Sequence, residues 1–127
     1  MSYNSGLTTA SLTGTITTTP PTYLQLAWKG IIAVSYSAAV PVGKKWIVKG
    51  YNLTADTGSY AYVGIDNGAG TLIARFGNVQ PIATYEGGFT ASGNGECVAI
   101  LTAGQRFVYR STNTDNGGTV IYIEVDA

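Results

Sequence analysis

Gly43-Lys44-Lys45-Trp46-Ile47-Val48-Lys49-Gly50-Tyr51-Asn52-Leu53-Thr54 alternates with a period of two. Trp46 and Val48 fall on one face of an extended strand, Lys45 and Lys49 on the other. After Gly50 the pattern slips by one residue, so that Tyr51 and Leu53 become the apolar set and Asn52 and Thr54 the polar one. A slip of one residue at a glycine predicts a β-bulge there. A second stretch, Gly104-Gln105-Arg106-Phe107-Val108-Tyr109-Arg110, has the same order: glycine turn, basic, aromatic, β-branched, apolar, basic. It places Phe107 and Tyr109 opposite Arg106 and Arg110. In both stretches the flanking cations read as solvent-side guards of a buried strand. The echo fits two strands in equivalent places in the two halves of a double Greek key, although an immunoglobulin-like sandwich can carry the same pattern.

Outward from these two stretches the chain keeps the same character. Leu24, Leu26 and Trp28 alternate with Tyr23, Gln25 and Ala27, and Gly30 leads into Ile31–Tyr36. Further short β segments cover 60–65, 71–76, 89–90, 96–101, 106–112 and 119–125, rich in β-branched and aromatic residues. Turn-forming clusters separate them: Pro41-Val42-Gly43, Asp56-Thr57-Gly58, Asp66-Asn67-Gly68, Glu86-Gly87-Gly88, Ser92-Gly93-Asn94-Gly95, Ala103-Gly104 and Asp115-Asn116-Gly117-Gly118. No window carries a 3.6-residue apolar period. Eight to ten short strands at this spacing predict an all-β, two-sheet sandwich over residues 23–127, of the jelly-roll kind. Trp28 and Trp46 read as core. Residues 1–22 are different, being Ser-, Thr- and Gly-rich and ending in Pro20-Pro21, with Tyr3, Leu7, Leu12 and Ile16 as the only larger apolar side chains after Met1. Such a segment buries little by itself and reads as an N-terminal arm that orders on a neighbouring surface.

Composition narrows the function. At 127 residues the chain is one domain with room for a core. Charged residues are 11% of it, against roughly a quarter in ordinary domains. Seven basic residues balance seven acidic ones. Nucleic-acid binding, which draws on a basic excess, is therefore not expected. A surface so sparsely charged tends to self-associate, which predicts that much of it is covered in the working state. No apolar run is long enough to span a bilayer. The N-terminus lacks the basic and apolar regions of a signal peptide, so synthesis in a reducing cytoplasm is expected. Cys97 lies in the apolar run Cys97-Val98-Ala99-Ile100-Leu101 and reads as a buried reduced thiol.

Catalytic constellations are hard to build from these residues. The chain has no histidine, which removes Ser-His-Asp and Cys-His arrangements and histidine metal sites. Asp66, Glu86, Glu96, Glu124 and Asp126 are the carboxylates available for paired acid–base work, but most stand beside glycine turns. Asp66-Asn67-Gly68 and Asp115-Asn116-Gly117 lack the ligand spacing of a calcium loop and read as turns. No catalytic, metal or cofactor site is expected. Tyr60 and Tyr62 share a strand face opposite Ala61, Val63 and Ile65. If the second set is core, two tyrosines stand side by side outside, as a binding surface or as a pair shielding the sheet.

The segment Val40-Pro41-Val42-Gly43-Lys44-Lys45-Trp46-Ile47-Val48-Lys49-Gly50-Tyr51-Asn52-Leu53 resembles strand openings in small structural proteins of tailed bacteriophages. Gly117-Gly118-Thr119-Val120-Ile121-Tyr122-Ile123-Glu124 is similar to their closing strand. With the Ser/Thr/Gly arm, the chain looks like a capsid decoration (cement) protein. The resemblance implies a jelly-roll or related unit, dimeric or trimeric, that clamps the major capsid protein on the outside of a virion without enzymatic activity. The candidate partner-binding residues are then Tyr3, Leu7, Leu12 and Ile16 of the arm, with Tyr60 and Tyr62. The alternative is a carbohydrate- or receptor-binding domain, such as a tail-fibre tip or a lectin, using loop amides and exposed tyrosines.

Overall fold

The alternation seen in the sequence becomes eight strands: β1 (Leu24–Lys29), β2 (Ala33–Ala39), β3 (Lys44–Asp56), β4 (Ala61–Asp66), β5 (Leu72–Val79), β6 (Gly88–Thr102), β7 (Arg106–Ser111) and β8 (Gly117–Asp126). A computed structural model describes residues 22–56, 58–79 and 88–127. The arm and its apolar residues Tyr3, Leu7, Leu12 and Ile16 lie outside the described residues. The strands form two four-stranded antiparallel sheets, ordered β1-β8-β3-β6 (sheet A) and β2-β7-β4-β5 (sheet B). First pairs with last, second with seventh, third with sixth and fourth with fifth. The ladders β3·β8 and β4·β7 then join these pairs into sheets.

An aromatic layer fills the space between the sheets. The echoed segments supply its centre, because Trp46 of β3 and Phe107 of β7 stack across the sandwich with ring centroids 5.4 Å apart. Trp28 of β1 stacks on Tyr109 at 5.2 Å, and Phe76 and Tyr122 meet Phe107 edge-on. Both tryptophans are buried. Gly118 is required here, since a Cβ at that position would meet Leu53 and the Tyr109 ring at 2.7 and 3.0 Å. The two glycine turns that open β3 and β7 lie together at one end. Gly43 and Gly104 both have φ near +80° (81° and 87°), a region that favours glycine. Val40 N–H donates to Gln105 O and Gly104 N–H to Val40 O, at 2.8 and 3.0 Å.

The bulge expected at Gly50 is present: the ladders of β3 with both β6 and β8 shift between Val48 and Gly50. The turn expected at Ser92–Gly95 is not a chain reversal. β6 runs through it as one strand, because β3 is long enough to pair with both of its halves. The irregularity appears as a broken register instead. Ala99 faces Val48, and the next pair is Asn94 with Gly50, which leaves residues 95–98 opposite Lys49 alone. Cys97 sits in that bulge and is exposed, contrary to the burial expected from its apolar neighbours. Apolar neighbours along a strand bury a side chain only where the strand stays in the ladder.

Candidate functional site

Among the described residues no group of three or more Cys, Asp or Glu side chains converges to hold a metal. Three of the described carboxylates are engaged separately. Glu124 accepts from Trp46 Nε1 at 2.9 Å, and Asp126 pairs with Lys44 at 2.7 Å. Asp66 is 1% exposed and accepts from Arg106 Nε at 2.8 Å and from the Gly68 and Gly70 amides at 2.8 and 3.2 Å. Burial pushes its pKa up, but Arg106 and the two amides outweigh that, and the carboxyl titrates below its ordinary value. Asn116, read from the sequence as a plain turn residue, is buried and works inward. Its Oδ1 accepts from Asp56 N–H (2.8 Å) and the Ser59 hydroxyl (3.2 Å), and its Nδ2 donates to Tyr60 O (3.1 Å). Among the described residues the buried Tyr109 hydroxyl has no partner in hydrogen-bond geometry, with Ser111 its polar neighbour. Burial raises its pKa, with Ser111 pulling the other way.

Surfaces remain, and the two sheets present different ones. On sheet B, Ala61, Val63 and Ile65 are core, as expected, so Tyr62 faces outward with Gly64 and Asp66. All three arginines of the chain, Arg75, Arg106 and Arg110, share this outer face. The Tyr60 and Tyr62 rings lie parallel at 6.4 Å, and Arg75 caps the Tyr62 ring at 4.1 Å. Arg106 does the same to Tyr36 at 3.8 Å while holding Asp66. Tyr62 is consequently 6% exposed. Of the two readings of this tyrosine pair, Tyr62 fits the shielding one, pointing outward under the Arg75 guanidinium, while Tyr60 beside it stays half-exposed.

On sheet A part of the outward face is apolar, bordered by Lys45 and Lys49 of β3. Ile100 of β6, Ile47 of β3 and Ile123 of β8 are direct cross-strand partners, so they share one face. That face is turned away from the core, since Trp46 and Val48 on either side of Ile47 belong to the core. Ile121 follows on the same side of β8, and Tyr23 continues the row past the start of β1 by the same register. Ile100, Ile121 and Tyr23 are 45%, 39% and 59% exposed, Ile47 is half-buried, and Ile123 in the middle of the row is 6% exposed. Reasoning from sequence missed this row although its signal was present. Val120-Ile121-Tyr122-Ile123 is apolar on both parities, so one of its two faces had to lie outside. The contiguous apolar row is the candidate interface.

Comparison with known proteins finds no match to a family model, a curated protein or a solved structure.

Proposed function

We infer that the chain is a jelly-roll virion structural protein. It binds the outer surface of a phage capsid and stabilises the shell without catalysis, as a decoration or cement protein made in the host cytoplasm. The nested pairing, first strand with last through fourth with fifth, is what one long hairpin wound on itself produces, and it supports the jelly-roll reading. The observation that carries the function is the apolar row Ile100–Ile47–Ile123 with Ile121 and Tyr23. A sheet face exposed to water is ordinarily polar, and a row of isoleucines there is stabilised by covering it with protein. Copies of the chain around symmetry-related capsid sites add many modest contacts through multivalency. In this reading Tyr3, Leu7, Leu12 and Ile16 anchor the arm on the major capsid protein or on a neighbouring copy. No cofactor enters.

The sugar-binding alternative needs an open aromatic platform. Tyr60 and Tyr62 are the residues it rests on, and Tyr62 is already capped by Arg75, so the geometry favours the structural role. Mass spectrometry of purified virions tests the proposal. Capsid-like copy number of this chain is expected, and its absence from virions overturns the reading.

A further inference from the structure

The sheet order leaves four edge strands, β1 and β6 in sheet A and β2 and β5 in sheet B. β5 and β6 touch, so the sandwich has a β5/β6 side and a β1/β2 side. An edge strand exposes unpaired N–H and C=O groups to any extended neighbour, and folds blunt it with bulges or charges. The β5/β6 side is blunted. The β5 ladder is broken twice and carries Arg75 in its middle, and the β6 ladder is broken by residues 95–98. Among the described residues the β1/β2 side is bare. β1 pairs with β8 through all six residues without a break, and β2 pairs with β7 without a break over Ala33–Tyr36. From Thr22 to Gly43 the only charged residue is Lys29. Among the described residues, the same stretch holds six of the ten exposed large apolar side chains: Tyr23, Leu24, Ile32, Val34, Tyr36 and Val42. Leu24 lies on the inward parity of β1 with Leu26 and Trp28, yet is 38% exposed.

We propose that the β1/β2 side takes a second copy of this chain, with β1 adding antiparallel to β1 of the second copy, so that sheet A continues as one eight-stranded sheet. The occupant follows from charge. A two-fold contact pairs residue i of one copy with j of the other and j with i, and sets residues near the axis close to their own copies, so a self-pairing edge must not carry a charge near its centre. The neutral span Leu24–Trp28 is centred on Leu26. A two-fold axis there sets Gln25 against Ala27 and Leu24 against Trp28. Lys29 meets Tyr23, which keeps the two lysines about 20 Å apart. Pairing β5 with itself on its middle instead brings Arg75 close to its own copy. β2 is the lesser choice, because its ladder shifts between Tyr36 and Ala39. The pairing hides the exposed Leu24 and merges the outer faces of the two A sheets, isoleucine row included. The inference deepens the reading of the chain as an assembling unit, but its test uses isolated protein. It fails or stands independently of presence in virions.

Gln25 and Ala27 are exposed and outward-facing, so charges placed there test the contact without entering the core. Native mass spectrometry and sedimentation of the full chain are expected to give a dimer or an even-numbered assembly. Gln25→Lys with Ala27→Lys sets lysine against lysine and is expected to give a folded monomer, as is Gln25→Glu with Ala27→Glu. Mixing the two double variants is expected to restore the two-copy state as a heterodimer, which separates a lost contact from a lost fold. A monomeric wild-type chain at high micromolar concentration overturns the proposal, as does a dimer that survives the lysine pair. Deletion of residues 2–21 is expected to leave the dimer in place. If that deletion dissolves it while the lysine pair does not, the arm is the contact and the edge is not.

Discussion

Ile47 and Val108 occupy the same place in the two echoed segments, each the outward β-branched residue between two core side chains. Their surroundings differ. Val108 is 3% exposed, and its cross-strand partners are Tyr36 and Gly64, with Arg106 laid over the Tyr36 ring. Ile47 has Ile100 and Ile123 as partners, and the row they form stays open at Ile100 and Ile121. Arginine and tyrosine are long enough to fold over a sheet surface with their apolar bodies down. Isoleucine is short and stiff at χ1 and stands upright, so the row covers Ile123 in its middle and leaves its flanks open. Sheet B covers Tyr62 and Val108 with its own long side chains, although Val34, Tyr36 and Leu72 on the same face stay exposed, and sheet A leaves Ile100 and Ile121 in water. Alternation decides which way a residue points, and the length of its cross-strand neighbours decides whether it sees water.

If sheet B carries its own cover, removing the group that anchors it should be the costliest change on either face. Asp66 is that group, holding Arg106 and two loop amides at once. Asp66→Ala should destabilise by about 3 kcal/mol, the low end for breaking a buried pair, because the Arg106 side chain is 23% exposed and can turn to water. Urea unfolding monitored by tryptophan fluorescence measures it. A loss no larger than that of an ordinary surface substitution removes the distinction between the faces.

The same carboxylate gives the comparison a pH axis. Its folded pKa is depressed relative to the unfolded chain, so the unfolded state binds its proton first as pH falls. The stabilisation is present at neutral pH and is lost as pH drops from about 5 through the folded pKa. Unfolding curves from pH 7 to 3 should show a falling limb that Asp66→Asn flattens. An unchanged limb in that variant assigns the acid sensitivity elsewhere.

The fold was legible in the sequence where periodicity and glycine agreed. The bulge at Gly50, the two core tryptophans and the turn glycines all follow from local pattern and backbone chemistry. What was not legible depended on partners distant in sequence. Tyr62 is covered by Arg75 from the next strand, and Asn116 reaches Asp56 and Tyr60 across the end of the sandwich. Cys97 was misread because its bulge exists only in register with β3. The isoleucine row is the opposite case. Ile47, Ile121 and Ile123 could be assigned outward by the same alternation that assigned Trp46 inward. They were passed over because an apolar strand residue is read as core by default.

The smallest expected effect on stability bears most on function. Ile100 and Ile121 contribute to no core contact and keep 45% and 39% of their surface in water. Replacing both by lysine gives up part of the cross-strand cover over Ile47 and Ile123, which the lysine stems partly restore, and places no charge inside the sandwich. The isolated domain should lose about 1 kcal/mol, the scale of strand propensity and cross-strand pairs, well below the loss expected at Asp66. On sheet B a comparable change at Val108 would bury a charge. If the row is covered in the working state, however, the same two lysines must be desolvated when the partner arrives. The cost of an unpaired buried charge then falls entirely on binding. The variant should stay folded with a slightly lower melting temperature yet fail to attach to shells in a co-sedimentation assay. A matched loss of melting temperature and attachment would instead place the two isoleucines in the fold's own packing, and the contrast between the sheets would no longer separate stability from assembly.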